Sequence, residues 1–139
     1  MNTAPTTTVN PSHLDHANLT IPESRVDDAV TFYRDALGFD LENLDAYRAG
    51  ERPIFSVRLS ATSLLHLSPS ENFEPPEERN FDHVAVVVED GIDAIQQGLA
   101  DAGVEVEREP RELKGATGTA PAVYVRDPFG YRVEIKTAV

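Results

Sequence analysis

Two stretches decide the reading: Phe81-Asp82-His83-Val84-Ala85-Val86-Val87-Val88-Glu89 and Leu14-Asp15-His16-Ala17-Asn18-Leu19-Thr20-Ile21. The first is β-branched and apolar, and an acidic turn and a helical pattern follow it, so it reads as a strand. The second has the same layout, with its histidine also in the first half. His16 precedes His83 by 67 residues. A strand and a helix repeated at that distance point to two copies of one unit.

Outward from the first histidine strand, at about Leu14 to Thr20, Pro22 interrupts the strand and Ser24 is placed to cap a helix, with Asp27 as a shortened capping-box acid. Val26, Ala29, Val30, Tyr33 and Leu37 then form an apolar stripe at helical spacing, which Gly38 ends. Strands are expected over Phe39 to Leu44, Ile54 to Leu59 and Thr62 to Ser68. Pro69 to Asn80 is a polar connector with Pro75 and Pro76. After the second histidine strand, Asp90 and Asp93 are placed to cap a helix with the stripe Ile92, Ile95, Leu99 and Ala102, ended by Gly103. A strand is expected to start over Val104 to Val106. Glu107 to Thr119, with Pro110, Gly115 and Gly118, reads as a long loop of the kind that is often mobile or functional. Pro121 to Arg126 and Tyr131 to Thr137 are strands around an Asp127-Pro128-Phe129-Gly130 turn.

The expected organisation is therefore a flexible tail over 1–13, a first βαβββ module over 14–68, a connector over 69–80 and a second module over 81–139. The fold class is α+β. Paired modules form strongly curved mixed sheets around a cavity, with helices outside.

Four residues occupy matching places in the two copies. His16 and His83 lie on the opening strands, and His66 and Glu134 on the closing strands. Leu64-Leu65-His66-Leu67 aligns with Arg132-Val133-Glu134-Ile135 at a separation of 68 residues, so one insertion reconciles the copies. Strand alternation turns His66 and Glu134 away from their apolar neighbours. Three imidazoles and a carboxylate suit a divalent ion with open positions. Ordinary strand histidines and a solvated glutamate are the competing reading. Asn18 shares a face with His16. Arg58, Tyr124 and Arg126 either line the cavity or face solvent, and Phe55, Leu64, Phe73 and Phe129 either wall the cavity or pack in a core. Asp15 and Asp82 are read as facing away from the neighbouring histidines and serving strand ends. His13 is read as a surface residue.

Composition narrows the partners. The 139 residues carry 24 acidic and 12 basic side chains, a net charge of −12 that repels nucleic acid and anionic membranes. Lysine occurs only at Lys114 and Lys136, a pattern that suits a halophilic cytoplasm. Cysteine is absent, which excludes thiol catalysis and disulfides. No apolar run reaches the roughly 20 residues that span a bilayer, and no secretory signal opens the chain. A cytoplasmic location is expected. No serine lies in a nucleophile elbow, and Gly115 and Gly118 lack a phosphate-loop context.

Leu14-Asp15-His16, Ala29 to Phe39, Phe81-Asp82-His83 and Arg126 to Ile135 together resemble the vicinal oxygen chelate superfamily, which includes glyoxalase I, extradiol dioxygenases and bleomycin-resistance proteins. The resemblance covers about residues 14 to 137. It implies paired βαβββ modules, a homodimer, a small-molecule substrate, and His16, His66, His83 and Glu134 as metal ligands. In small glyoxalase I enzymes each site is completed by half-sites from two subunits. Glyoxalase I usually has a glutamate or glutamine at the place of His66. Extradiol enzymes usually use the equivalents of His16, His83 and Glu134. The first expectation is a glyoxalase-like lyase or isomerase with Ni, Co or Zn, in which Glu134 or His66 relays a proton during enediolate chemistry. The alternatives are an extradiol-type dioxygenase with Fe(II) or Mn(II), or a non-enzymatic binding or resistance protein.

Overall fold

A computed structural model describes residues 10–138. Most of the tail expected over 1–13 lies outside them. The strands are β1 (His16–Pro22), β2 (Asp40–Glu42), β3 (Phe55–Ser60), β4 (Ser63–Ser70), β5 (Val84–Val88), β6 (Arg108–Gly115), β7 (Gly118–Arg126) and β8 (Arg132–Thr137). The α-helices are α1 (Val26–Ala29), α2 (Leu44–Arg48) and α3 (Ile92–Asp101). A 3-10 turn (Glu23–Arg25) leads into α1, and a π-helical segment (Val30–Ala36) continues it.

Two mixed sheets of four strands carry the duplication, in the orders β1-β4-β3-β2 and β5-β8-β7-β6. In each the opening strand pairs parallel with the closing strand, and the other pairs are antiparallel. This is the βαβββ plan twice over. On β1 and β4 the residues Leu19, Ile21, Leu65 and Leu67 are buried, while His16, Asn18 and Thr20 are exposed on the alternate face. Val86, Val133 and Ile135 do the same for the second sheet, and the buried residues of both modules form one continuous core. Removing each such aliphatic side chain from water is worth roughly 1.5–3 kcal/mol. The Tyr33 hydroxyl donates to Asp127 at 2.7 Å, and the Tyr131 hydroxyl donates to the Thr20 carbonyl at 2.8 Å, so polar ties also join the modules.

Several expectations are corrected. The sheets are open rather than strongly curved around a shared cavity, because their apolar faces go to the common core and leave the histidine faces unjoined. Pro22 is the last residue of β1 rather than its interruption. Neither Ser24 nor Asp90 caps a helix; the residues at the caps are Arg25 and Gly91, without a side-chain capping bond. Asp27 instead accepts from Arg48 at 2.8 Å. The strand after the first helix is only Asp40–Glu42, and Asn43, at φ 66°, turns the chain into α2. Val104 to Val106 are not a strand. The loop expected over Glu107 to Thr119 is mostly β6 and the start of β7, closed by a two-residue turn. Apart from the half-buried Leu113, its residues are exposed and most are polar, so no apolar alternation announces them. Gly38 and Gly103 do end helices, at φ 76° and 73°, where a side chain would be strained.

Two candidate half-sites for a metal ion

On the first sheet, Asn18 pairs with His66 and His16 with Leu64, so both imidazoles leave the apolar side together. Their ring centroids are 4.5 Å apart. His16 Nδ1 lies 2.7 Å from Asp15 Oδ2, and His66 Nδ1 lies 2.7 Å from Ser56 Oγ. Burial first, and then the neighbouring His16, lower the His66 pKa and favour its neutral form. A cavity of about 180 Å³ touches His16 and reaches Leu64 on β4 and Val84 and Ala85 on β5.

On the second sheet, His83 immediately precedes β5, and Ala85 pairs with Glu134 on β8. His83 Nε2 is 3.1 Å from Glu134 Oε1. Two neighbouring ligands of an octahedral ion with bonds of roughly 2.2 Å sit at about that separation. His83 Nδ1 lies 2.6 Å from Asp82 Oδ1. An ionised carboxylate only accepts, so in both Asp-His pairs Nδ1 carries the proton. Each of the three histidines thus has Nδ1 occupied, and Nε2 is the nitrogen left for an ion.

This arrangement overturns the expectation that Asp15 and Asp82 serve only strand ends. Both lie just outside their strands, where alternation no longer fixes side-chain direction. The bond to His16 lowers the Asp15 pKa, and the bonds to His83 and then Arg132 lower that of Asp82.

Tyr124 pairs with Glu134 across β7 and β8, and its ring lies 5.4 Å from the His83 ring. Burial, with the Glu134 carboxylate beside it, raises the Tyr124 pKa. Asn18 shares the His16 face and accepts from Ser68 at 2.6 Å. Arg58 forms a two-pronged pair with Glu42. Arg126 is bound by Glu107 and Glu78. Phe55 is fully buried in the core beside Tyr47, and Phe73 packs edge-on against Phe129, so none of these three walls the histidine face. Leu64 lines the small cavity beside His16. His13 is exposed and bonds Ser12.

The structure therefore brings the four candidate ligands together as two pairs, His16 with His66 and His83 with Glu134. Among the described residues, no group of three or more His, Asp or Glu side chains is gathered for a metal. A cavity of about 580 Å³ is lined by Phe32 and by residues 103–107 and 126–128, and contains none of the four. Chemistry rather than cavity size marks the half-sites. Nitrogen donors, two of them with tautomers fixed by a carboxylate, and a nearly buried carboxylate fit a first-row divalent ion.

Residues 13–135 match the model of the Glyoxalase/Bleomycin resistance protein/Dioxygenase superfamily. A "Probable lactoylglutathione lyase" of Synechocystis is 32% identical over 114 residues, covering 79% of this chain and 85% of the relative. A virulence protein of Salmonella typhimurium is 29% identical, covering 91% of this chain and 84% of the relative. The crystal structure of that virulence protein matches with a TM-score of 0.73 at 24% identity over 94% of this chain and 100% of the other. An integron cassette protein from V. cholerae matches with a TM-score of 0.72 at 22% identity over 94% and 98%.

Proposed function

From the premise that this chain belongs to the Glyoxalase/Bleomycin resistance protein/Dioxygenase superfamily, we propose that it binds a small organic molecule with two neighbouring oxygens through a divalent metal ion. His16 and His66 of one subunit and His83 and Glu134 of a second would hold the ion. The observation that carries this reading is the 3.1 Å approach of His83 Nε2 to Glu134 Oε1, with Nδ1 tied elsewhere. The separation of the two pairs within one chain makes a homodimer part of the proposal, with the cavity expected from the sequence formed between facing modules of two subunits. When bound, such an ion polarises a carbonyl or holds a diolate.

Among reactions, dioxygenase-type cleavage of a catechol-like diol is favoured over the glyoxalase-like reading. Glu134 is the only carboxylate among the four candidates, and it already faces His83. An imidazole, His66, stands at the place where the resemblance to glyoxalase I implies a carboxylate or amide. His16, His83 and Glu134 are the three groups that the resemblance assigns to extradiol enzymes. Tyr124, beside Glu134, is placed to orient a phenolic substrate oxygen. The glyoxalase-like reading comes second. It is favoured by the Synechocystis relative and by a neutral His66, which is able to take a proton.

The deciding experiment loads purified protein anaerobically with Fe(II), adds catechols, and follows oxygen uptake. Parallel samples with Ni(II) or Zn(II) receive a 2-oxoaldehyde and a thiol. Oxygen uptake coupled to loss of the catechol is expected. Isomerisation without oxygen uptake would replace the first reading with the second, and ligand binding without turnover would leave a binding protein.

A further inference from the structure

Resting on the metal-centre reading, we propose that Asp82, clamped by Arg132, is a positioning residue that aims the His83 ring at Glu134 and strengthens Nε2 as a metal donor. Asp82 Oδ1 sits 2.6 Å from His83 Nδ1 and 3.1 Å from Arg132 Nη1. The Arg132 side chain is only 8% exposed, and it also donates at 2.7 Å to both Glu107 and Glu78. A planar guanidinium held by three carboxylates, Glu78 and Asp82 ahead of β5 and Glu107 ahead of β6, is a rigid post. Asp82 itself is 60% exposed, so without that post its carboxylate is free to leave the ring. A carboxylate accepting from Nδ1–H fixes the ring orientation and increases the basicity of the opposite nitrogen.

The three candidate histidines are held in three different ways, which gives the proposal a ranking. His83 leans on a carboxylate that is itself anchored. His16 leans on Asp15, which is 82% exposed and has no arginine clamp among the described residues. His66 leans on the neutral hydroxyl of the buried Ser56. Asp82 should therefore matter most, and the larger share of its effect should fall on the half-site that contains Glu134.

The test uses the full chain with Zn²⁺ or Co²⁺ alone, titrated against a chromophoric chelator. D82N keeps the side-chain shape and is expected to bind about 10- to 100-fold more weakly. D15N is expected to lose less, with both thermal midpoints close to wild type. Independently of any metal, NMR of the metal-free protein should show a downfield, exchange-protected Nδ1–H for His83 that D82N loses. The proposal is overturned if D82N binds Co²⁺ within about twofold of wild type, against the loss that such partners normally cause. It is equally overturned if wild type lacks the Nδ1–H resonance. A wild-type protein that shows the resonance but takes up no metal would instead overturn the metal centre, and with it the donor role of His83.

Discussion

Asp127 shows how much one side chain can organise. It opens the Asp-Pro-Phe-Gly turn, and its Oδ1 accepts the N–H groups of Phe129 and Tyr131, both at 2.9 Å. Its Oδ2 accepts the Tyr33 hydroxyl from the first module. Burial raises its pKa, against the pull of those donors. A raised value means that its contribution to stability is full below the ordinary 3.8 and is lost as pH rises through the folded value. D127A would strand three buried donors and should cost about 2–4 kcal/mol in chemical denaturation. Y33F removes the donor to Oδ2 while Oδ1 keeps its backbone partners, and should cost about 1 kcal/mol. Near-equal losses in the two variants would contradict this account. The turn was legible from its residue types, but the partner hydroxyl 94 positions away was not.

The β6–β7 hairpin makes the corresponding point at the scale of an element. Arg-Glu-Pro-Arg-Glu-Leu-Lys-Gly carries the charges and the proline of an edge strand, and tertiary pairing with β7 decides its form. At its entrance Glu107 binds both Arg126 and Arg132, while Glu78 reaches the same two arginines from the connector. Bonding to Arg126 first, and then to Arg132, lowers the Glu107 pKa. Its contribution is therefore present above the ordinary 4.5 and lost as pH falls through the folded value. The thermal midpoint should fall on acidification below that point, and E107Q should flatten the fall. An unchanged acid limb in E107Q would remove the network from the account. The first helix shows a subtler override. Its apolar stripe was legible, but from Val30 the winding widens to π-helix, and the adjacent residues Phe32 and Tyr33 are both buried.

At the scale of the whole molecule the question is whether the two candidate half-sites join into one. If they meet across subunits, the double variants H16A/H66A and H83A/E134A should each bind almost no metal. Mixed and refolded together, they should form heterodimers with one intact four-ligand site. Failure of mixing to restore metal binding, with heterodimers present by native mass spectrometry, would rule out sharing between subunits. The net charge of −12 belongs to the same scale. Screening shortens from roughly 10 Å at 0.1 M salt to roughly 3 Å at 1 M, so the thermal midpoint should rise over that range. A flat salt response would show that self-repulsion is not limiting stability.

The sequence by itself determined the duplication, most of the strands and the two main helical stripes, and the residues that leave the apolar faces as candidate ligands. These follow from local rules: side chains alternate along a strand, helices repeat every few residues, and both copies preserve the pattern. It did not determine that Asp15, Ser56 and Asp82 hold the histidine rings, that 108–115 is a strand, or that the two candidate pairs stay on separate sheets. Those depend on which faces share the core and on bonds between residues far apart in the chain, such as Arg132 to Glu78 and Asp82. Such contacts exist only once the sheets have packed, and no local pattern records them.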